Sequence, residues 1–365
     1  MKICIAGTRG IPDSYGGFER FASLISASLV TKGFEMYVYC PHYQNYKEKK
    51  WREVRLIYKY CPRFLGHSFS QFVYDLLCIL DSRKRNFDVI YHLGYTSSAV
   101  FMKLHNKKAV IMTNMDGMEW QRAKYNRLTK KFLLFSEKLA VRRSNYVVAD
   151  SEVIKGYLDK KYKINSLYLT YPVGKVEIDS SYLPRFLQPE KYFLLISRPE
   201  PENNLGLIIS SFLFSKTSYP LVVVGNFSNR YGKFLQKKFH DQRIIFAGAI
   251  YDHNILNALR HFSLLYFHGH SAGGTNPSLL EAMAAGSLIV AHDNAFNREV
   301  LGNNAFYFSS ADDIIYLLNS FKSKSDYNSW INANLEKIHR EHSLNLMVMK
   351  YAEFFNSVRR YSGKR

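Results

Sequence analysis

No run of about eighteen uninterrupted apolar residues occurs in this 365-residue chain, and its first strand-like segment begins at Lys2 with no basic-then-apolar leader. Neither a transmembrane helix nor a signal peptide is expected. The expected location is the cytoplasm, at most peripheral on the inner face of the cell membrane. Cysteine is scarce: Cys4, Cys40, Cys61 and Cys78 are scattered without metal-like pairing and read as buried reduced thiols. His339 and His342 share a helix face, but no third ligand lies near them in sequence, so no metal is expected there. Strict repeats and low-complexity tracts are also missing, while 47% hydrophobic residues suffice for two folded domains of ordinary size.

Acidic residues are the minority, 30 against 50 Lys and Arg, for a formal charge of +20. The imbalance is concentrated in the first half, where residues 1–172 carry 29 basic against 14 acidic side chains. Lys47, Lys49, Lys50, Arg52, Arg55, Lys59 and Arg63 form one cluster. Arg122, Lys124, Arg127, Lys130, Lys131, Lys138, Arg142 and Arg143 form another along a predicted helix. Such surfaces seek anions: nucleic acid, anionic lipid or a lipid diphosphate. Tyr43, Tyr46, Trp51, Tyr58, Tyr60 and Phe64, interleaved with the first cluster, either anchor at a membrane interface or turn inward beneath a solvated surface. No nucleic-acid recognition module is legible, and no nucleic-acid partner is expected.

Short apolar strands alternate with helical patterns twice over, which predicts α/β architecture with two parallel-sheet domains. Strands are expected at 2–7, 35–39, 54–58, 89–93, 109–112 and 146–149, then at 192–197, 221–225, 243–247, 264–268 and 288–292. Pro172, Pro184 and Pro189 mark the linker. The domains are placed at 1–175 and 176–343.

The densest signal is YFHGHSAGGTNPSLLEAMAAGSLIVAHDN, residues 266–294. A buried strand runs into Gly273 and Gly274, which let the backbone turn; Thr275 or Asn276 can cap, and Pro277 suits the first helical position. Free amides and the helix dipole then favour an anion above the turn, a diphosphate being the natural guest. Glu281, one turn in, can accept hydrogen bonds from a ribose diol, and is expected to be replaceable by Gln without loss of the fold.

Three further segments follow strands. Gly7 to Pro12 leads to Gly16 and Gly17, whose amides open a helix, but the spacing departs from Gly-x-Gly-x-x-Gly. Arg198 leaves the first strand of the second domain, where guanidinium can grip phosphate oxygens, with Asn203 and Asn204 as neutral donors beside it. The alternative for Arg198 is a surface ion pair. Asp116, after the strand ending near Met112, could orient an acceptor hydroxyl or take its proton; alternatively it caps a helix, with Glu119 completing the box. Glu119 reads as structural.

GGTNPSLLEAMA, with GTRGIPDSYGGFE near the start and MDGMEWQR mid-chain, resembles the family 4 retaining glycosyltransferases of the GT-B fold, and within them the capsule and O-antigen rhamnosyltransferase group. The resemblance implies two Rossmann-like domains facing a central cleft, with the last helix, 344–365, crossing back to the first. Glu281 matches the second Glu of that family's Glu-x7-Glu signature; the first falls on Gly273. Arg198 matches a diphosphate clamp whose usual Lys is here Asn203, and the loop before Gly16 would close over the donor, with the amides of Gly16 and Gly17 holding its diphosphate.

The implied reaction is transfer of L-rhamnose from dTDP-rhamnose, with retention, onto a polyprenyl-diphosphate-linked oligosaccharide in surface polysaccharide synthesis. A UDP-hexose is the rival donor. The base would rest near Ala249, Ile250 and Tyr251, after a central strand. No Asp-x-Asp triplet exists, so neither metal nor other cofactor is expected. The cleft pair of carboxylates that a glycosidase needs is not evident. A nicotinamide enzyme would want an acidic residue ending the second strand, which ends in Cys40-Pro41-His42.

Overall fold

The computed structural model describes residues 1–12, 16–122 and 125–362. Two compact units make up the chain: Met1–Gln121 with Tyr125–Gly174 and Ser343–Arg365, and Lys175–His342 with Arg122–Lys124.

The first unit is built on β1 (Lys2–Ala6), β2 (Glu35–Pro41), β3 (Lys50–Trp51), β4 (Val54–Lys59), β5 (Val89–Leu93), β6 (Val110–Asn114), β7 (Tyr146–Ala149) and β8 (Leu167–Tyr168). Their order is β3-β4-β2-β1-β5-β6-β7-β8, and only the short β3 pairs antiparallel. Helices α1 (Gly17–Val30), α2 (His67–Ser82), α3 (Arg127–Arg143) and α4 (Glu152–Tyr162) connect them. Strand alternation divides the core between the two faces. Cys4, Tyr39 and Ile90 pack with Tyr74 and Cys78 of α2, whereas Tyr91 turns to the opposite face, where Phe21 of α1 meets its ring edge-on at 6.0 Å. The four cysteines are free and buried, as expected, and burial pushes the Cys40 thiol up to about 12.

The second unit carries β9 (Phe193–Ile196), β10 (Leu221–Val224), β11 (Ile244–Gly248), β12 (Leu265–His268), β13 (Ile289–His292) and β14 (Phe306–Phe308). They pair in parallel in the order β11-β10-β9-β12-β13-β14. Helices α5 (Leu205–Phe214), α6 (Arg230–Lys238), α7 (His253–Phe262), α8 (Pro277–Ala284), α9 (Ala295–Leu301), α10 (Ala311–Ser320) and α11 (Asn328–Lys337) surround the sheet. Such sheets are buried on both faces, which is why β9, β10 and β12 read as near-continuous apolar runs. A π turn, Ile338–His342, leads into α12 (Leu344–Ser362). That last helix belongs to the first unit, where Tyr351 and Tyr91 place their hydroxyls 3.1 Å apart.

The strands missed at the sequence level are β3, β8 and β14, two or three residues long, too short to print a pattern. One placement needs correction: β11, expected to be central, is the edge strand.

Candidate functional site

In the second unit, chain order along the sheet reverses between β9 and β12, and the carboxyl ends of strands flanking such a switch point are where open α/β sheets hold ligands. Arg198 leaves β9 at that point. It is exposed and forms no ion pair among the described residues, so the surface-pair alternative finds no support. Its carbonyl is clamped by Glu200 N at 2.8 Å and Asn203 Nδ2 at 2.9 Å, a tight turn that aims the side chain outward. Asn203 and Asn204, expected to donate to the diphosphate, need correction. Asn203 is buried with its amide on the Arg198 carbonyl, and Asn204 Nδ2 donates to Gly269 O at 2.8 Å. They shape the loop. Gly269 permits this approach, since a Cβ there would lie 2.2 Å from the Asn203 carbonyl oxygen.

The exit from β12 follows the sequence reading closely. Gly273 takes φ 126, a conformation that favours glycine, and its missing Cβ would meet open space. Asn276, not Thr275, caps α8: its Oδ1 accepts from Ser278 N at 2.9 Å, and Pro277 occupies the first turn. Thr275 is buried beneath. Gly274 completes the turn, leaving an amide-lined helix start close to the switch point.

Glu281 has a partner that sequence reading missed. Arg260, on α7, is 2% exposed and donates through Nη2 to Glu281 Oε2 at 2.6 Å. Neither its Nε nor its Nη1 finds an acceptor, so Glu281 carries most of the neutralisation of a buried cation. Tyr266 and Ser278 join the group through a 2.9 Å hydroxyl contact. Glu281→Gln, expected to keep the fold, is therefore also expected to lower its stability, because Arg260 would lose its counter-charge. Arg260 sits among polar residues of an amphipathic helix, and nothing in that local pattern marks it as buried. Ile250 and Tyr251 lie between β11 and α7, Tyr251 exposed, at the sheet's edge and not beside its middle.

In the first unit, Gly16 precedes α1 and Gly17 begins it, but the helix start already faces a carboxylate. Glu19 is buried, its Oε1 accepts from Arg9 N at 2.7 Å, and a Cβ on Gly16 would fall 2.0 Å from its Oε2. The bare amide cradle expected at Gly16 and Gly17 is corrected: Glu19 supplies the negative charge that the helix dipole favours. Asp13 to Tyr15 of that loop lie outside the described residues, as does Lys124 of the second basic cluster.

Asp116 is no helix cap. It adopts φ 55, donates its N–H to Asn114 Oδ1 at 2.8 Å and receives the Tyr171 hydroxyl at 3.4 Å. Only a single 3-10 turn, Glu119–Gln121, follows. The next helix, α3, starts at Arg127 and is capped by Asn126. A partly buried carboxylate in a left-handed conformation at the carboxyl edge of β6 keeps its candidacy for an acceptor-side role. Glu119 is buried, in keeping with a structural part.

A histidine pair behind this edge is structural as well. His92 Nε2 lies 2.8 Å from His105 Nε2, and Ser82 Oγ 3.1 Å from His105 Nδ1. Burial holds His105 down at about 4 and His92 well below its ordinary value. A histidine with a depressed folded pKa binds its proton first in the unfolded chain, so its contribution to stability is lost as pH falls from about 6.5 towards 4. Asp75, pushed up to about 6 by burial, works in the opposite direction. The expected result is therefore a difference: the stability of wild type relative to His105→Phe falls by about 3 kcal/mol between pH 7 and pH 4. Urea unfolding of both proteins across that range checks it, and a constant difference refutes it. Among the described residues, no three His, Cys, Asp or Glu side chains converge as a metal site.

Residues 1–173 match the family described as "Domain of unknown function (DUF1972)", and residues 184–337 match "Glycosyl transferases group 1". The chain thus carries a glycosyl transferases group 1 domain over its second unit. It is 25% identical over 192 residues to the O-antigen chain mannosyltransferase RfbU of Salmonella typhimurium, a match that covers 51% of this chain and 53% of that protein. The chain spans about half the length of this curated relative. Sucrose-phosphate synthase from Thermosynechococcus elongatus superposes with a TM-score of 0.81 at 14% identity, covering 98% of each chain. Anabaena Alr3699/HepE in complex with UDP and glucose gives 0.76 at 15% identity, covering 98% of this chain and 100% of that one. The fold is GT-B, with two parallel-sheet α/β domains.

Proposed function

We propose that this chain is a retaining glycosyltransferase that takes its sugar from a nucleoside diphosphate donor held by the second unit. The observation that carries this reading is the pairing, at one switch point, of an exposed arginine without an ion-pair partner among the described residues and the amide-rich start of α8. Arg198 and the helix start would take the diphosphate, and Glu281 the ribose diol. As the bond from the anomeric carbon to the phosphate oxygen breaks, its electron pair leaves with the diphosphate and an oxocarbenium-like sugar forms. The acceptor oxygen bonds to that carbon on the same face, and its proton passes to the departing phosphate oxygen. Positioning and charge stabilisation supply the rate.

The donor we propose is dTDP-rhamnose and the acceptor a polyprenyl-diphosphate-linked oligosaccharide of a bacterial surface polysaccharide. A hexose donor is the second reading, favoured by the mannosyltransferase relative and by the UDP and glucose of the HepE complex. Titration calorimetry with dTDP, UDP and GDP, followed by transfer assays with their rhamnose, glucose and mannose conjugates, decides among these. Failure to bind any nucleoside diphosphate overturns the proposal. Anomeric configuration of the product by NMR tests retention.

We further propose that the first unit docks on anionic membrane. No helix among the described residues is long and apolar enough to cross one. On α3, the exposed residues Leu128, Lys131, Phe135, Lys138 and Arg142 fall on one helical stripe, with Leu128 78% and Phe135 53% exposed. The aromatics of the other basic cluster divide. Tyr46 and Tyr58 are partly buried and hydrogen-bond the strand-to-strand loop, whereas Tyr60 and Phe64 are exposed. Each Lys or Arg near such a surface contributes about 1 kcal/mol within a Debye length of roughly 8 Å. Liposome co-sedimentation should rise with anionic lipid, fall with salt, and drop when Lys47, Lys49, Lys50 and Arg52 become Gln, while transfer to a short soluble acceptor is spared. Equal binding to neutral and anionic vesicles would sink the docking proposal.

A further inference from the structure

Beyond Arg198 and α8, the switch point in the second unit holds a column of rings that the proposed chemistry has not used. Strand alternation sends Leu265 and Phe267 into the apolar core and puts Tyr266, His268 and His270 on the other side. The three rings stack: Tyr266 on His268 at 6.4 Å and 26°, His268 on His270 at 4.4 Å and 15°. His268 is fully buried and neither of its ring nitrogens has a hydrogen-bond partner; His270 is partly exposed, and its Nδ1 lacks one too. Phenylalanine would fill such a column without the cost of about 1–3 kcal/mol that each unpaired polar atom carries. Imidazoles kept here point to a polar occupant.

Hydrogen bonds on either side hold the backbone of His270 in place. Its carbonyl accepts from Asn294 Nδ2 at 3.0 Å and Asn297 Nδ2 at 3.1 Å, and the next residue, Ser271, is tied by N and Oγ to Glu202 O at 3.0 and 2.8 Å. The column runs between two cations. Burial, with Arg260 and His292 adding, depresses His268 to about 3; burial, His268, Arg198 and Arg122 depress His270 well below its ordinary value. Both rings are therefore neutral at pH 7. A neutral imidazole offers one N–H and one lone pair. That combination suits a hydroxyl, which both donates and accepts, while the anionic part of the ligand has Arg198.

We propose that His270, held in plane by the His268 ring behind it, reads a hydroxyl of the transferred sugar. This inference rests on the proposed donor site, because a sugar joined to a diphosphate at Arg198 and α8 is what brings a hydroxyl beside this ring. His270 would set donor-sugar specificity and leave nucleotide recognition to the rest of the site.

The test uses the full chain and its preferred donor, with that donor's single-deoxy analogues and the matching nucleoside diphosphate. In wild type, removal of one particular hydroxyl should lower kcat/KM at least about tenfold; in His270→Ala the same removal should cost less than about twofold. The Kd for the nucleoside diphosphate alone should stay within about twofold in the variant. His270→Asn, which keeps a donor and an acceptor on a shorter side chain, should recover part of the loss and serves if the alanine variant is poorly folded. Equal weakening of nucleoside diphosphate and sugar donor, an unchanged deoxy penalty in the variant, or no sensitive hydroxyl in wild type would each overturn the inference. Absence of nucleoside diphosphate binding in wild type instead removes the donor-site reading itself, so the two failures are distinguishable.

Discussion

Replacing Arg198 by alanine is expected to lower kcat/KM for glycosyl transfer by about 2–4 kcal/mol in transition-state stabilisation, whereas EDTA leaves turnover intact. A departing diphosphate must be neutralised, and in the second unit the groups placed to do so are the exposed guanidinium after β9 and the start of α8. Asn203 and Asn204, expected to share that load, are spent on backbone carbonyls. No ligating triad among the described residues stands ready to bring a cation in their place. Arg198 is therefore asked to supply much of the electrostatic stabilisation, and a guanidinium does so with two parallel hydrogen bonds that a lysine cannot imitate. Arg198→Lys should accordingly recover only part of the loss. Steady-state kinetics of both variants, with and without chelator, give the answer. Complete loss of activity in EDTA, restored by magnesium or manganese, would falsify the metal-independent account.

Glu281→Gln is expected to do two kinds of damage. Removing one partner of a buried ion pair leaves the other uncompensated, at a cost of about 3–5 kcal/mol. Because Glu281 is 20% exposed and water can reach the pair from that side, the lower end, about 3 kcal/mol, is the expected loss of stability, or roughly 6–12 °C in Tm for a unit of this size. Loss of a charged hydrogen bond to a ribose diol would weaken nucleotide binding by about 1.5–3 kcal/mol as well. The two effects separate in the double variant Glu281→Gln with Arg260→Met. Methionine fills the space without charge, so Tm should return most of the way while nucleotide affinity stays low. Recovery of both together would reduce Glu281 to a purely structural partner of Arg260. Thermal melts and titration calorimetry on the three proteins suffice.

Much of this was legible along the chain because the signals are local. Parallel strands buried on both faces print apolar runs, so eleven of the expected strands fall on observed ones. The Gly273-Gly274 turn, Asn276 cap and Pro277 start follow from backbone sterics and hydrogen bonding within a few residues, which no distant contact needs to enforce. The free buried cysteines were readable from their scattered, unpaired spacing. Tertiary structure alone decided three matters. Sheet order put β11 at the edge and made β9 and β12 neighbours, since lateral pairing joins segments that the chain separates by dozens of residues. Burial of Arg260 turned Glu281 from a solvated ligand into half of an ion pair, because a buried charge must find its counter-charge wherever packing provides one. And the stacking of His268 on His270 beside Arg198 depends on the close approach of Gly269 to the Asn203 carbonyl, a fit between two loops that neither sequence segment encodes by itself.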